Sequence, residues 1–178
     1  MRRFALCAVL ALPAAAAPLR SGSPALSLRV ETAYVEPGDG SSSSRGAGAG
    51  VGAAWRLTDQ LSVVGGTSQS LLSVRQLPGG PRVARGLTMI SAGLEAMLDA
   101  TPIAPFLQLC FVQLLPQTAA GYSLATRTAL GADWRIAPAF ALGLSVRTLT
   151  PLDSPSGVTP LGGTEIAARF VWVPGATR

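Results

Sequence analysis

The stretch Tyr122 to Thr150, YSLATRTALGADWRIAPAFALGLSVRTLT, decides the fold. Read at period two, it divides into two faces. One face carries Thr126, Thr128, Leu130, Ala132 and Trp134, then, past a short Pro-containing turn, Phe140, Leu142, Leu144 and Val146. The other carries Arg127, Ala129, Gly131, Asp133 and Arg135, then Ala141, Gly143, Ser145 and Arg147. Strict alternation over two runs joined by a tight connection is the pattern of a β-hairpin. A face turned to bulk water favours Lys, Glu and Thr, whereas this polar face mixes Gly, Ala and Ser with both signs of charge. Such a face suits a narrow, crowded interior.

The same parity extends through the chain. A first strand runs from about Ala25 to Val35, with Leu26, Leu28, Val30, Thr32 and Tyr34 opposite Ser27, Arg29, Glu31 and Ala33. A second, about Gly46 to Leu57, sets Ala47, Ala49, Val51, Ala53 and Trp55 against Gly48, Gly50, Gly52, Ala54 and Arg56. The third spans Leu61 to Arg75, where consecutive Leu71 and Leu72 break the parity and suggest a bulge. The fourth, Gly86 to Leu98, puts Thr88, Ile90, Ala92 and Leu94 outward and Ser91, Gly93 and Glu95 inward. Helix formers within Thr88 to Leu98 leave a helix there as the competing reading. The fifth reaches Leu115, with Leu107, Leu109 and Phe111 opposite Gln108 and Cys110. The eighth sets Ile166, Ala168, Phe170 and Trp172 against Glu165, Ala167, Arg169 and Val171.

Eight strands result, and their connections alternate. Glu36–Arg45, Leu77–Arg82, Pro116–Gly121 and Pro151–Gly162 are long and rich in Gly, Ser or Pro. Thr58–Gln60, Ala100–Pro105 and the turn at Pro138 are short. Short turns at one end and long loops at the other are a mark of barrels that cross the outer membrane. The expectation is an all-β, eight-stranded antiparallel up-and-down transmembrane β-barrel over residues 25–173.

Composition narrows the class. Arg2 and Arg3, the apolar Phe4–Leu12 and the small residues Ala15–Ala17 read as a secretory signal peptide over residues 1–17. A lead-in occupies 18–24, and a short tail 174–178 follows the barrel. Cleavage after Ala17 leaves 161 residues with 12 Arg and 9 acidic residues, a net charge of +3. The basic isoelectric point thus comes from arginine in the absence of Lys, and no basic stripe suited to nucleic acid is visible. The chain has no His, and only Cys110 survives cleavage, so neither an intrachain disulfide nor a zinc site is expected. No cofactor is expected. The longest uncharged run, Ala100 to Thr126, is broken by Pro102, Pro105 and Pro116, which argues against a membrane helix.

The aromatic residues follow the same register. Trp55-Arg56-Leu57 and Trp134-Arg135-Ile136 each precede a short turn, and Trp172 sits at the matching point of the last strand, at spacings of 79 and 38 residues. With Phe140 and Phe170 they mark one rim, while Tyr34 and Tyr122 mark the other. Two outward aromatic girdles are expected at a lipid–water boundary.

Gly93-Leu94-Glu95 with Ala104-Pro105-Phe106, and Gly131-Ala132-Asp133-Trp134-Arg135 with Phe140-Ala141-Leu142-Gly143-Leu144, resemble the strand, turn, strand units of the eight-stranded outer-membrane barrel superfamily, of the OmpA transmembrane-domain and OmpX kind. The resemblance covers nearly all of the chain after residue 17. It implies residence in the outer membrane of a diderm bacterium, contact with lipid and lipopolysaccharide, and insertion by the barrel-assembly machinery as a monomer. Members of this group usually end on an aromatic residue, whereas here Val173 to Arg178 trail past Trp172.

The inward parity collects Arg29, Glu31, Glu95, Arg127, Asp133, Arg147, Glu165 and Arg169 in one lumen. Four acids and four arginines can pair there, forming either a side-chain plug or a narrow pore. Arg56 and Arg135 belong at the turn-end rim. Arg45, Arg75, Arg82 and Arg85 gather at the loop end of strands two to four, where they could meet lipopolysaccharide phosphates. Gly48-Ala49-Gly50-Val51-Gly52-Ala53 matches a nucleotide fingerprint, but its glycines recur at period two and follow no strand. Outer-membrane barrel enzymes use a histidine, as the resemblance implies, and this chain has none, so a non-enzymatic structural or surface-interaction role is expected. The rival reading is a soluble exported barrel holding a small apolar ligand, which would carry its apolar face inside.

Overall fold

The alternation of apolar and polar residues forces each strand to bury one face, and closing the sheet on itself lets all eight do so without leaving an edge. The computed structural model describes residues 26–37, 45–75, 82–98, 102–116, 122–152 and 162–175. Its eight strands are β1 (Leu26–Pro37), β2 (Arg45–Arg56), β3 (Leu61–Arg75), β4 (Arg82–Met97), β5 (Ile103–Pro116), β6 (Ser123–Ala137), β7 (Phe140–Pro151) and β8 (Gly163–Trp172). They pair in sequence order, every pair antiparallel, and β1 closes onto β8. The residues expected to be signal peptide and lead-in, the long loops, and the end of the tail lie outside the described residues.

The register fixes the shape. A row of partners starting at Pro105 runs through Ala132, Leu144, Ala168, Thr32, Ala49, Gln69 and Thr88, and returns to β5 at Leu115. One circuit therefore climbs ten residues along β5. With usual strand spacing and rise, that stagger tilts the strands by about 41° and gives a backbone radius of about 8 Å. An interior of that width is filled by side chains rather than left open.

β2 and β3 join through Leu57–Gln60, where Leu57 N donates to Leu61 O, and Thr58 Oγ1 accepts from Leu61 N at 3.0 Å. Pro138 and Ala139 alone join β6 to β7. No non-Gly residue among those described has positive φ, so this is not one of the mirror-image turns that match strand twist. The mismatch is absorbed next to it. Arg135 pairs with Ala141 and Ala137 with Phe140, leaving Ile136 as the extra residue of a bulge.

Two expectations need correction, and one rival reading falls. The bulge expected at Leu71–Leu72 is absent, because β3 keeps unbroken register with both neighbours. Leu71 faces out and Leu72 in, so both are ordinary strand positions with large apolar side chains on opposite faces. The helix considered for Thr88 to Leu98 is a strand through Met97, held by pairing on both sides. The turn expected over Ala100–Pro105 is shorter, because β5 already begins at Ile103. Pro105 is tolerated close to the strand start, where its carbonyl accepts from Leu98 N at 3.0 Å.

The distribution of side chains is inverted relative to a water-soluble domain. Leu71, Phe111, Leu130 and Leu144 are each about two-thirds exposed, while Glu95, Glu165 and Arg169 are at most 2% exposed. The greasy wall faces outward, and a cluster of charged side chains is buried inside.

Candidate functional site: the charged interior

Parity places every member of the expected charged set inside the barrel. Arg29, Glu95, Asp133 and Arg169 form a layer toward the turn end. Glu31, Arg127, Arg147 and Glu165 form a second layer farther in, as the strand directions require. Each layer balances two arginines against two acids.

The first layer is closely bonded. Arg29 donates Nη1 to Glu95 Oε2 at 2.8 Å and Nη2 to Oε1 at 2.6 Å, a forked pair that joins β1 to β4 across the lumen. Arg169 donates Nε to Asp133 Oδ1 at 2.7 Å and Nη2 to Oδ2, while its Nη1 reaches Glu95 Oε2 at 2.8 Å. A single guanidinium on β8 thus holds carboxylates from both β4 and β6. Planar, multi-donor geometry is what arginine offers and lysine does not. The same guanidinium lies 3.6 Å from the centroid of the Phe106 ring, a cation–π contact from β5.

Glycine makes room for this hub. A Cβ at Gly143 would meet the Asp133 carboxylate and the Arg169 stem, and one at Gly131 would meet the Phe106 ring. The small residues that marked the polar face in the sequence are the space into which longer side chains fold.

The second layer is more loosely bonded. Arg147 donates Nη2 to Glu31 Oε2 at 2.7 Å and Nε to Ser145 Oγ at 3.2 Å. Arg127 donates Nη2 to Ser91 Oγ at 3.1 Å. Glu165 lies opposite Arg147 in the β7–β8 register and is almost fully buried.

Two cavities adjoin the layers. One, of about 80 Å³, opens at the turn end and is lined by Arg29, Arg56, Asp59, Glu95, Asp133 and Arg135 among others. The second, of about 30 Å³, lies beside the bare glycines Gly52 and Gly66 and is bordered by Arg29, Glu31, Ser91, Gln108 and Arg127.

Sequence reading missed part of the interior. Phe106 shares the parity of Gln108, yet the neighbouring Leu107 and Leu109 drew attention to the other face. The expectation of a polar lumen also fails in the loop-end half. There Val35, Leu72, Leu87, Met89, Val112 and Leu114 point inward with Cys110, forming a buried apolar cluster. Parity alone could have found them, since Val112 and Leu114 continue the inward series of Gln108 and Cys110.

The expected aromatic residues lie on the wall. Trp55, Trp134, Phe140, Phe170 and Trp172 ring the turn end on the outer face, where Phe140 and Phe170 stack at 5.5 Å. Tyr34 and Tyr122 are exposed toward the loop end. At that end the β3–β4 register sets Arg75 opposite Arg82, Ser73 pairs with Arg45, and Leu72 pairs with Arg85. The nucleotide-like glycines lie within β2, paired to β1 and β3, and form no phosphate loop.

Comparison with solved structures gives the same architecture. Neisserial surface protein A overlays with a TM-score of 0.66 at 15% identity, over 85% of this chain and 99% of that one. The fold is that of the small eight-stranded outer-membrane β-barrels. The N-terminal barrel domain of Pseudomonas aeruginosa OprF overlays at 0.52 with 12% identity, covering 82% of this chain and 96% of that one. A de novo designed transmembrane β-barrel overlays at 0.50 with 14% identity, covering 84% and 96%. No family model matches the sequence, and no curated protein matches it.

Proposed function

We propose that this chain is an integral outer-membrane β-barrel, non-enzymatic, with a lumen filled by its own side chains and with its work done at the loop end. The observation that carries the reading is the inverted wall: large apolar side chains cover the outside while paired charges occupy the middle. Water offers such a wall nothing, whereas hydrocarbon flanked by aromatic girdles accommodates it. The rival soluble carrier needs an apolar cavity, and the two cavities described above are bordered by charged residues.

In this reading the turn end faces the periplasm and the loop end the exterior. Glu95, Asp133 and Glu31, interior carboxylates that border a cavity, serve as counter-ions to arginine rather than as acid or base, which supports the non-enzymatic role. Lipopolysaccharide is the partner suggested by Arg45, Arg75, Arg82 and Arg85. The β3–β4 register brings Arg75 and Arg82 to the same level of the loop end, and phosphate is the group that arginines bind by charge-assisted hydrogen bonds.

The test is heat-modifiable migration. The urea-washed membrane fraction retains the protein, and unboiled samples run faster on SDS gels than boiled ones. Extraction by urea with no heat-dependent shift overturns the proposal.

A further inference from the structure

The interior has two unlike halves. The two cavities described above belong to the charged half, and Arg29 borders each of them. A water molecule needs about 10–15 Å³ and two to four polar partners, and both spaces offer that. The forked Arg29–Glu95 pair is therefore an internal partition between two hydratable spaces, the larger of which opens at the turn end.

Among the described residues the loop-end half is mostly apolar, with the Ser70 hydroxyl, opposite Leu87 in register, as a buried polar group within it. Met89 and Leu114 face each other across β4–β5, and Val112 and Leu114 are among the most deeply buried side chains of the barrel. Val35, Leu72 and Leu87 complete the layer, with Leu149 entering from β7. Apolar constrictions close a pore by excluding water, with no need for charge.

We infer that the barrier to solute passage is this apolar layer and not the ion-pair network, which makes the charged half a blind chamber open to the periplasm. The inference rests on the membrane orientation proposed above. Loosening the charge network enlarges the chamber; it does not open a pore. Only a polar or shortened apolar layer opens one.

Cys110 is a built-in reporter. It sits at the boundary of the two halves, opposite Arg127 and Gly93 in register and 1% exposed. The experiment uses the folded full-length protein in planar bilayers, together with labelling of Cys110 by a small, charged, membrane-impermeant thiol reagent added to one side at a time. Arg29→Gln leaves Glu95 bonded to Arg169 and merges the two spaces. It is expected to raise periplasmic-side labelling at least tenfold with no unit conductance. Met89→Ser/Leu114→Ser is expected to conduct. Val112→Thr, which keeps the volume of the side chain, is the second variant should the double one not fold, and it is expected to raise labelling from the exterior.

Current through Arg29→Gln overturns the inference, as does a folded Met89→Ser/Leu114→Ser that stays silent. External labelling of Val112→Thr no faster than that of the unaltered protein also overturns it. Steady current through the unaltered protein instead overturns the filled-lumen reading on which the inference rests.

Discussion

Glu95 is the position where the structure makes its sharpest energetic claim. Its two oxygens accept three hydrogen bonds, from Arg29 and Arg169, at 2.6 to 2.8 Å, and all three side chains are almost fully buried. Replacing Glu95 by Ala leaves the Arg29 fork with no carboxylate and strips Arg169 of one of its two. Breaking a buried pair from one side costs about 3–5 kcal/mol, because the remaining charge stays desolvated. Glu95→Gln keeps the shape and one acceptor oxygen but turns an NH₂ group toward a guanidinium, for which about 1.5–3 kcal/mol is expected. Arg29→Ala/Glu95→Ala removes both ends of the fork and should cost about 1 kcal/mol or more less than the two single losses summed. The assay is reversible urea unfolding in lipid vesicles, followed by Trp fluorescence, with the slope checked for constancy. Single variants that both stay within about 0.5 kcal/mol of the parent would refute the claim that the first charged layer holds the barrel together.

Other expectations test the wall, the glycines and the loop end. Leu144, mid-strand and 67% exposed, should cost about 2–4 kcal/mol as Leu144→Arg in vesicles, against about 0–1 kcal/mol for Thr150→Arg near the loop end; equal costs would mean that hydrocarbon does not surround the wall. A Cβ at Gly93 would press on the Leu109 carbonyl and the Cys110 backbone, so Gly93→Ala should lower the urea midpoint. Gly65→Ala, whose Cβ meets only Ser91 O at 3.6 Å, should leave that midpoint unchanged. Arg75→Ser/Arg82→Ser should weaken co-purification of lipopolysaccharide while leaving heat-modifiable migration intact; undiminished co-purification would remove this pair from the contact.

Period two made the barrel readable, since each side chain in a strand belongs to one of two faces. In Tyr122–Thr150 the two faces were so unlike that the inside could be told from the outside, and the eight charged positions followed by counting. Partners were not legible in the same way. That Arg169 reaches across to Asp133 and Glu95, rather than to Glu31 beside it on β1, depends on the ten-residue stagger and on space left by Gly131 and Gly143. The apolar layer was obscured for a different reason. In β5 both faces of Leu109–Leu115 are largely apolar, so alternation lost its contrast where the lumen changes from charged to greasy. Leu71 and Leu72 looked irregular on the same account, although the backbone there is regular.

The position of Arg169 on the last strand has a consequence for how the molecule is made. Every carboxylate it holds is supplied by an earlier strand, so a chain still lacking β8 lacks the forked Arg169 clasp on Asp133 and one of the two arginines bonded to Glu95. The central knot is tied in the same event that closes the sheet, and a barrel that stalls one strand short lacks its own fastening.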